Sequence, residues 1–367
     1  MKSKIAEIQG LRGIAILLVV IFHFTVRWDS ASTGKSNLYP FPEFPTVFRV
    51  LLAQGRLGVE LFFMISGFVI ALTLENSNSM KVFWAKRFAR LWPPLLVCLP
   101  IIWLFIQFAP NIQGTNRSFI ALAESFTLLN PNILGLGQYG QVTGVLWTLW
   151  VELQFYFLAS IFYFRFKSLI RGLVASTFLG LVLVVVGSTR FGGVVNTLFQ
   201  FTNLAPYLAW FTLGVLVYKL RVGGLTKPLL IGMGFCFLSS CLELGAFTFT
   251  VQSGIHLSAV GLWSLIFNAV LVLVFILSAG DLTAWPVLKF RPLVFIGEIS
   301  YELYLLHEAI GIGALQDFRV FTSIRTPLLS LLVGLCLIGV SWLVYRYWSM
   351  PSTRWVRAKL ATVTSRS

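Results

Sequence analysis

Charged residues are scarce in this 367-residue chain: Asp, Glu, Lys and Arg make up 11% of it, while hydrophobic residues make up 57%. Because soluble domains carry roughly 25% charged residues, this composition excludes a soluble globular protein. Cysteine is equally scarce, and its four copies fall inside hydrophobic runs without the spacing of a metal site or a disulfide framework. We therefore expect no metal cofactor.

The net charge of +15 does not indicate nucleic-acid binding, because the basic residues lie at the ends of hydrophobic runs. Membrane topology and anionic lipid account for basic residues in such places. The chain is therefore expected to contact membrane lipid and no nucleic acid.

Long hydrophobic runs recur from one end of the chain to the other, with about the 20 residues that a helix needs to cross a bilayer. They predict an all-α, polytopic membrane helix bundle. We count about ten transmembrane helices, near residues 9–27, 57–74, 88–108, 145–164, 172–189, 197–218, 229–247, 257–278, 293–315 and 327–348.

The distribution of basic residues predicts that both termini are cytoplasmic. With that orientation, 20 of the 28 Lys and Arg residues fall on the cytoplasmic side and 8 on the outer side, as the positive-inside rule requires. Two outer connections, 28–56 and 109–144, are longer than ordinary loops. They either cap a hydrophilic substrate or serve only as connectors.

The first hydrophobic run carries two ionisable residues, Arg12 and His23, eleven positions apart. On an α-helix this spacing places both on one face, roughly 16 Å apart along the axis. Arg12 suits the cytoplasmic interface, whereas His23 lies inside the outer half of the membrane. Because ionisable residues are costly there, His23 is a candidate catalytic residue, the alternative being a buried structural histidine.

Two carboxylates lie on predicted spans that enter the membrane from the outer side. Glu60 begins the second predicted span, and Glu152 lies about two helical turns inside the fourth. A carboxylate near His23 would orient its imidazole, so we expect Glu60 and Glu152 to converge on it. Ser66, two turns deeper than Glu60, is compatible with close helix packing or with direct chemistry.

Arg87 and Arg90 are three residues apart at the cytoplasmic start of the third span, hence neighbours on one helix face. Paired guanidinium groups bind phosphate well, although the positive-inside rule alone would also explain them. In the ninth span, Tyr301, Tyr304 and His307 follow helical spacing on an otherwise apolar helix. Such a polar stripe indicates either a cavity or a packing seam.

Five motif blocks occur in order along nearly the whole chain: Gln9-Gly10-Leu11-Arg12-Gly13…His23, Gly58-Val59-Glu60-Leu61-Phe62-Phe63…Ser66-Gly67-Phe68, Arg87-Phe88-Ala89-Arg90…Pro93, Trp147-Thr148-Leu149…Glu152…Phe155-Tyr156 and Gly297…Ser300-Tyr301…Tyr304-Leu305…His307. Each block alone is a weak signal, but together and in this order they are specific. With them the chain resembles the acyltransferase family three membrane proteins, which include bacterial carbohydrate O-acetyltransferases.

This resemblance implies an enzyme that takes an acetyl or other short acyl group from cytoplasmic acyl-CoA. The acceptor would be a carbohydrate hydroxyl at the outer membrane face. His23 would either deprotonate that hydroxyl or carry the acyl group transiently. The expected site residues are His23, Glu60 and Glu152 for catalysis, Arg12, Arg87 and Arg90 for acyl-CoA binding, and Ser66, Trp147, Tyr301, Tyr304 and His307 for substrate binding.

Some members of the family carry an appended extracytoplasmic esterase-like domain. Here we expect residues 1–367 to form a single acyltransferase membrane domain without an appended soluble domain, located in the bacterial cytoplasmic membrane. A polytopic transporter of a glycan or small polar solute is the alternative, since it would also place polar residues inside a bundle.

Overall fold

The computed structural model describes residues 2–27, 46–109, 117–137, 140–187, 193, 203–251, 257–283, 285–321 and 326–364. Within these ranges the chain is helical, with turns between helices and without a β-strand, which confirms the predicted fold class. The α-helices are α1 Lys2–Phe22, α2 Thr46–Ala53, α3 Gly58–Glu75, α4 Met80–Phe108, α5 Phe119–Ser125, α6 Leu146–Ser160, α7 Leu169–Gly187, α8 Leu208–Gly223, α9 Lys227–Val251, α10 Leu257–Ala279, α11 Arg291–Glu298, α12 Ser300–Leu306, α13 Gly313–Phe321, α14 Thr326–Val344 and α15 Met350–Thr364.

Several of these helices are long and apolar enough to cross a membrane. Seven candidate spans occur among the described residues: Ala6–Arg27, Val47–Glu75, Met80–Phe108, Leu169–Gly187, Lys227–Leu244, Gly261–Ala279 and Pro327–Val356. They agree with seven of the ten predicted spans and identify a multi-pass membrane protein. The full count of ten and the cytoplasmic termini stay predictions.

The other three predicted spans have interrupted or partly undescribed helices. The span at 145–164 corresponds to α6 and the π-helical segment Ile161–Arg165. Of the span at 197–218, residues 197–202 lie outside the described residues, and α8 begins only at Leu208. The span at 293–315 is divided into α11, α12, a π-helical segment and α13, with a break at Ile299.

Two boundaries differ from the sequence prediction for local reasons. Helix α4 begins eight residues before residue 88, because the Ser79 side chain caps it by accepting a hydrogen bond from the Val82 amide at 3.3 Å. The connection 28–56, which is predicted to lie on the outer side, is outside the described residues up to 45. From Thr46 onward it is helical and leads through a 3₁₀ turn, Gln54–Leu57, into α3.

The described residues divide into two compact units. The first unit lies within Met1–Val19, Thr46–Asn76 and Val151–Gly297, and the second within Val20–Pro45, Ser77–Trp150 and Glu298–Ser367.

In the first unit, α3 and α8 touch through glycines. A Cβ atom on Gly67 would lie 2.0 Å from the Phe211 carbonyl oxygen, and one on Gly214 would lie 2.0 Å from the Met64 carbonyl oxygen. Neither position accepts a side chain without moving the helices apart. Small residues permit such backbone contact between membrane helices, and α8 is buried along most of its length.

The N-terminal part of α1 packs in the same manner within the first unit. A Cβ on Gly10 would lie 2.1 Å from the Leu288 carbonyl oxygen, and one on Gly297 would lie 1.8 Å from the Gln9 carbonyl oxygen. Lys289 also pairs with the buried Glu7 carboxylate at 3.0 Å. Gly10, in the first motif block, is therefore a packing residue on the helix that carries Arg12.

In the second unit, α15 packs against the proline-containing middle of α4. Pro93 has no amide hydrogen, so it cannot donate to the carbonyl of Ala89 within the helix. The Thr353 hydroxyl donates to this carbonyl at 3.0 Å, and the Trp348 indole donates to the Pro93 carbonyl at 2.7 Å. Helix α15 and the π-helical segment Tyr345–Ser349 before it thus donate to backbone carbonyls of α4 at Ala89, between Arg87 and Arg90, and at Pro93, about one turn later.

Candidate active site

The two histidines of the second unit each begin a π-helical segment. His23 is the first residue of His23–Arg27, which continues α1, and His307 is the first residue of His307–Ile312, which follows α12. π-helical turns are rare and concentrate at functional sites. A Cβ on Gly311 would lie 2.6 Å from the Phe24 ring, so the two segments pack closely because that residue is glycine.

This packing brings the two imidazole rings into contact. His307 Nε2 lies 3.4 Å from His23 Nδ1, with the ring centroids 4.8 Å apart and the planes inclined by 81°. His307 has 0% exposed surface, whereas His23 is partly exposed. The Nδ1 atom of His307 lies 2.8 Å from the carbonyl oxygen of Tyr304.

The two tyrosines of α12 each have an internal hydrogen-bond partner. The Tyr304 hydroxyl lies 2.8 Å from Thr148 Oγ1, which in turn donates to the Val145 carbonyl at 3.0 Å. The Tyr301 hydroxyl donates to the Leu91 carbonyl at 3.3 Å. Trp147, on the first turn of α6, is 37% exposed. The second unit therefore brings Tyr304 and His307 together with His23.

Glu308, the residue after His307, is held by the connection that leads into α6. Its Oε2 accepts a hydrogen bond from the Thr143 hydroxyl at 3.0 Å. A Cβ on Gly144 would lie 2.9 Å from each Glu308 carboxylate oxygen, so a side chain at position 144 would push this carboxylate aside. Thr143 and Gly144, at the end of the connection 109–144, thus contact the segment that carries His307.

In the first unit, Glu152 is held by two hydroxyl groups. Ser66 Oγ and the Tyr156 hydroxyl each donate to Glu152 Oε1 at 2.5 Å. Tyr156 lies one turn after Glu152 on α6, and Ser66 is supplied by α3. Two donors on one oxygen fix the orientation of the carboxylate and leave Oε2 to other partners.

Glu60 has different neighbours from Glu152. It is buried in the first turn of α3, six residues and so about 9 Å along the helix axis from Ser66. Arg56 and Tyr207 interact with it electrostatically. The convergence of His23, Glu60 and Glu152 stays a prediction.

The arginines expected to bind acyl-CoA lie on long helices. Helix α4 is continuous through Arg87 and Arg90, so the two lie one turn apart on one side of it. Arg87 is only 6% exposed and Arg90 is partly exposed. Arg12 is buried within α1. Burial of Arg87 is unusual for a residue whose only role would be to mark the membrane interface.

The sequence analysis did not single out two buried carboxylates inside the apolar helices α9 and α12. Glu243, 3% exposed in α9, accepts a hydrogen bond from Ser239 Oγ at 3.1 Å, and Glu302 is buried in α12. Both interrupt apolar runs, which is the signal that singled out His23. Within the described parts of the chain, no group of three or more His, Cys, Asp or Glu side chains is placed to hold a metal ion.

Comparison with known proteins finds that the chain is similar to acyltransferases of bacteria. It is 21% identical over 341 residues to the peptidoglycan O-acetyltransferase OatA of Listeria monocytogenes, covering 84% of this chain and 50% of the relative. It is 25% identical over 330 residues to the O-acetyltransferase OatA of Staphylococcus aureus, covering 83% and 50%. A shorter match, 26% over 113 residues, covers 30% of this chain and 27% of the acyltransferase MdmB of Streptomyces mycarofaciens.

The chain thus spans about half the length of the OatA proteins that it matches. No solved structure matches it significantly. The model of acyltransferase family three, described as an acyltransferase domain, matches residues 5–346. Because this match covers nearly the whole sequence, the resemblance seen in the motif blocks is confirmed, and the chain belongs to acyltransferase family three.

Proposed function

We propose that the protein is a membrane O-acyltransferase that moves an acetyl or other short acyl group from cytoplasmic acyl-CoA to a hydroxyl of an extracytoplasmic or lipid-linked carbohydrate. The membership of the family supports the reaction, and the names of the OatA relatives support a carbohydrate acceptor. The observation that carries the proposal is the contact between His23 and His307 at the start of two π-helical segments.

In the proposed reaction a new ester C–O bond forms and the thioester C–S bond breaks. If His23 is a general base, its imidazole takes the proton of the acceptor hydroxyl and returns it to the departing CoA thiolate. If His23 is an acyl carrier, its imidazole attacks the thioester carbonyl first, and the acceptor hydroxyl then takes the acyl group. Both routes consume acyl-CoA and an alcohol and release an ester and free CoA.

The carboxylates are assigned supporting roles at this reaction. Glu152, whose Oε1 is held by Ser66 and Tyr156, offers Oε2 to a substrate hydroxyl. Glu60 is the further catalytic candidate. Ser66, Trp147, Tyr301 and Tyr304 remain the proposed lining of the substrate path.

Arg87 and Arg90 are proposed to bind the phosphates of acyl-CoA, with Arg12 as a third cation. Guanidinium groups bind phosphate oxygens in pairs and stay charged at any physiological pH. A partly buried arginine pair at the predicted cytoplasmic end of α4 suits that ligand.

The proposed location is the bacterial cytoplasmic membrane, with residues 1–367 acting as one acyltransferase membrane domain in contact with lipid. The seven apolar helices and the bacterial relatives support this assignment. The acceptor lies outside, because His23 follows α1 at the end opposite to the predicted cytoplasmic N-terminus.

The test is a comparison of His23→Ala with Thr25→Ala in producing cells. Thr25 is a matched control, because it lies in the same π-helical segment and its hydroxyl donates back to the Ile21 carbonyl at 2.6 Å. We expect O-acetylation of the surface glycan, measured by mass spectrometry, to vanish in His23→Ala and to persist in Thr25→Ala at equal membrane levels. Acetylation that survives in His23→Ala would refute the assignment.

An assay with purified protein separates an acyltransferase from a transporter. In detergent the protein should release free CoA from acetyl-CoA in the presence of de-O-acetylated glycan from the producing cells, because acyl transfer does not require two compartments separated by a membrane. A transporter would form no ester in this assay.

A further inference from the structure

The hydrogen-bond partners of His307 determine which of its nitrogens carries the proton. Its Nδ1 lies 2.8 Å from the Tyr304 carbonyl oxygen, and a carbonyl oxygen can only accept. The hydrogen must therefore be on Nδ1. Because the ring is fully buried and a buried charge is costly, His307 is neutral and its Nε2 holds a lone pair.

That lone pair in turn determines the tautomer of His23. His307 Nε2 lies 3.4 Å from His23 Nδ1, so a hydrogen bond between them requires the hydrogen on His23 Nδ1. The second nitrogen of His23, Nε2, then holds the lone pair. A lone pair on Nε2 is what either route of the proposed reaction needs, whether this atom takes a proton or attacks the thioester.

We propose that His307 is a positioning residue that holds His23 in the tautomer whose Nε2 is the reactive nitrogen. This inference rests on the proposed function. It gives His307 a positioning role instead of the substrate contact that the sequence predicted. When Nε2 takes the hydroxyl proton, the positive charge forms on His23, and His307 Nε2 continues to accept the Nδ1 hydrogen. The proton leaves again with the thiolate, so His307 itself is unchanged.

Two features separate this role from substrate binding. His307 has 0% exposed surface, and both of its ring nitrogens are already engaged, one by the Tyr304 carbonyl and one by His23. The arrangement matches the general pattern in which a third group orients the base of a catalytic pair. Here the orienting groups are a neutral imidazole and a backbone carbonyl.

The sequence makes a direct spectroscopic test practical, because it contains only three histidines, His23, His256 and His307. We suggest ¹⁵N NMR of protein labelled only in histidine, reconstituted in nanodiscs, with His256→Gln and His307→Gln used to assign signals. The expected result at neutral to mildly alkaline pH is a protonated Nδ1 and an unprotonated Nε2 for both His23 and His307. A wild-type His23 ring protonated on Nε2 would overturn the proposal.

Kinetics of two variants supply the second readout. His307→Leu removes the group that accepts the hydrogen bond from His23 Nδ1. We expect turnover to fall on the order of 10²-fold, the size of effect that general-base catalysis contributes, while the KM for acetyl-CoA stays unchanged. His307→Gln keeps an oxygen acceptor and should recover part of the turnover. Loss of both turnover and acetyl-CoA affinity, or equal activity of the Leu and Gln variants, would contradict a positioning role.

The two proposals fail in distinguishable ways. If His23→Ala is inactive but His307→Leu is fully active, His23 stays catalytic and the positioning role is refuted. If the wild-type protein forms no ester at all, the proposed function is refuted, while the NMR measurement still tests the tautomer of His23.

Discussion

Replacing Gly67 with alanine should lower acyl transfer on the order of 10²-fold, because it moves α3 relative to α8. The added Cβ would lie 2.0 Å from the Phe211 carbonyl oxygen, whereas ordinary contacts begin at 3.4 Å. The backbones must therefore separate by about 1.4 Å, the difference between these two distances. Overpacking of this kind also costs about 1–3 kcal/mol of stability.

The shift reaches the neighbouring Ser66, whose hydroxyl donates to Glu152 at 2.5 Å. A displacement of about 1 Å exceeds what this hydrogen bond tolerates, and misplacement on that scale can cost roughly 10²-fold in rate. The assay is CoA release from acetyl-CoA by purified protein, with thermal unfolding measured on the same preparation.

Gly234→Ala is the matched control. Gly234 also lies inside an apolar helix, α9, but among the described residues no atom beyond its chain neighbours and its own helix backbone lies within 4 Å of its added Cβ. Activity should be unchanged there, and stability unchanged or higher by up to about 1 kcal/mol, since alanine is the better helix former. Gly67→Ala with the activity and unfolding temperature of Gly234→Ala would refute the close contact of α3 and α8.

Three further predictions concern other parts of the chain. Burial raises the pKa of Glu124, in α5 outside the candidate spans, from 4.5 to about 7. The folded protein therefore holds the Glu124 proton to a higher pH than the unfolded protein does, and the free energy of unfolding falls as the pH rises from about 4.5 to 7. Glu124→Gln should raise the unfolding temperature more at pH 8 than at pH 5. An equal effect at both pH values would contradict this. Thr353→Val leaves the Ala89 carbonyl without its donor and should cost about 1–3 kcal/mol in thermal unfolding, with Thr353→Ser near wild type; equal stability of the two variants would exclude the hydrogen bond. Arg87→Ala combined with Arg90→Ala should weaken acetyl-CoA binding by calorimetry at least about tenfold, and unchanged binding would remove both from the donor site.

The sequence predicted what depends on local spacing. Apolar runs of bilayer length predicted membrane helices, and seven of them correspond to candidate spans. The three-residue spacing of Arg87 and Arg90 places them one turn apart in any helix, and α4 is a helix there. The five motif blocks identified the family because their order along the chain is specific.

The contacts of the candidate site depend on residues far apart in the sequence. His23 and His307 are separated by 284 positions, and their contact depends on two π-helical segments. The hydrophobic periodicity of the sequence does not predict such segments. Tyr156 supports Glu152 from the next turn, which helical spacing could have shown. The role of Thr353 toward Ala89 could not be read from either segment alone, because it follows from the packing of α15 on α4.

The central claim is that an acyl group crosses from a cytoplasmic donor to an outer acceptor by way of His23. Its most direct test encloses isotope-labelled acetyl-CoA in proteoliposomes and supplies de-O-acetylated glycan from the producing cells outside. The account predicts labelled ester on the outer glycan with wild-type protein and none with His23→Ala at equal incorporation. Label that reaches the glycan with His23→Ala, or no labelled glycan with the wild type, would contradict it.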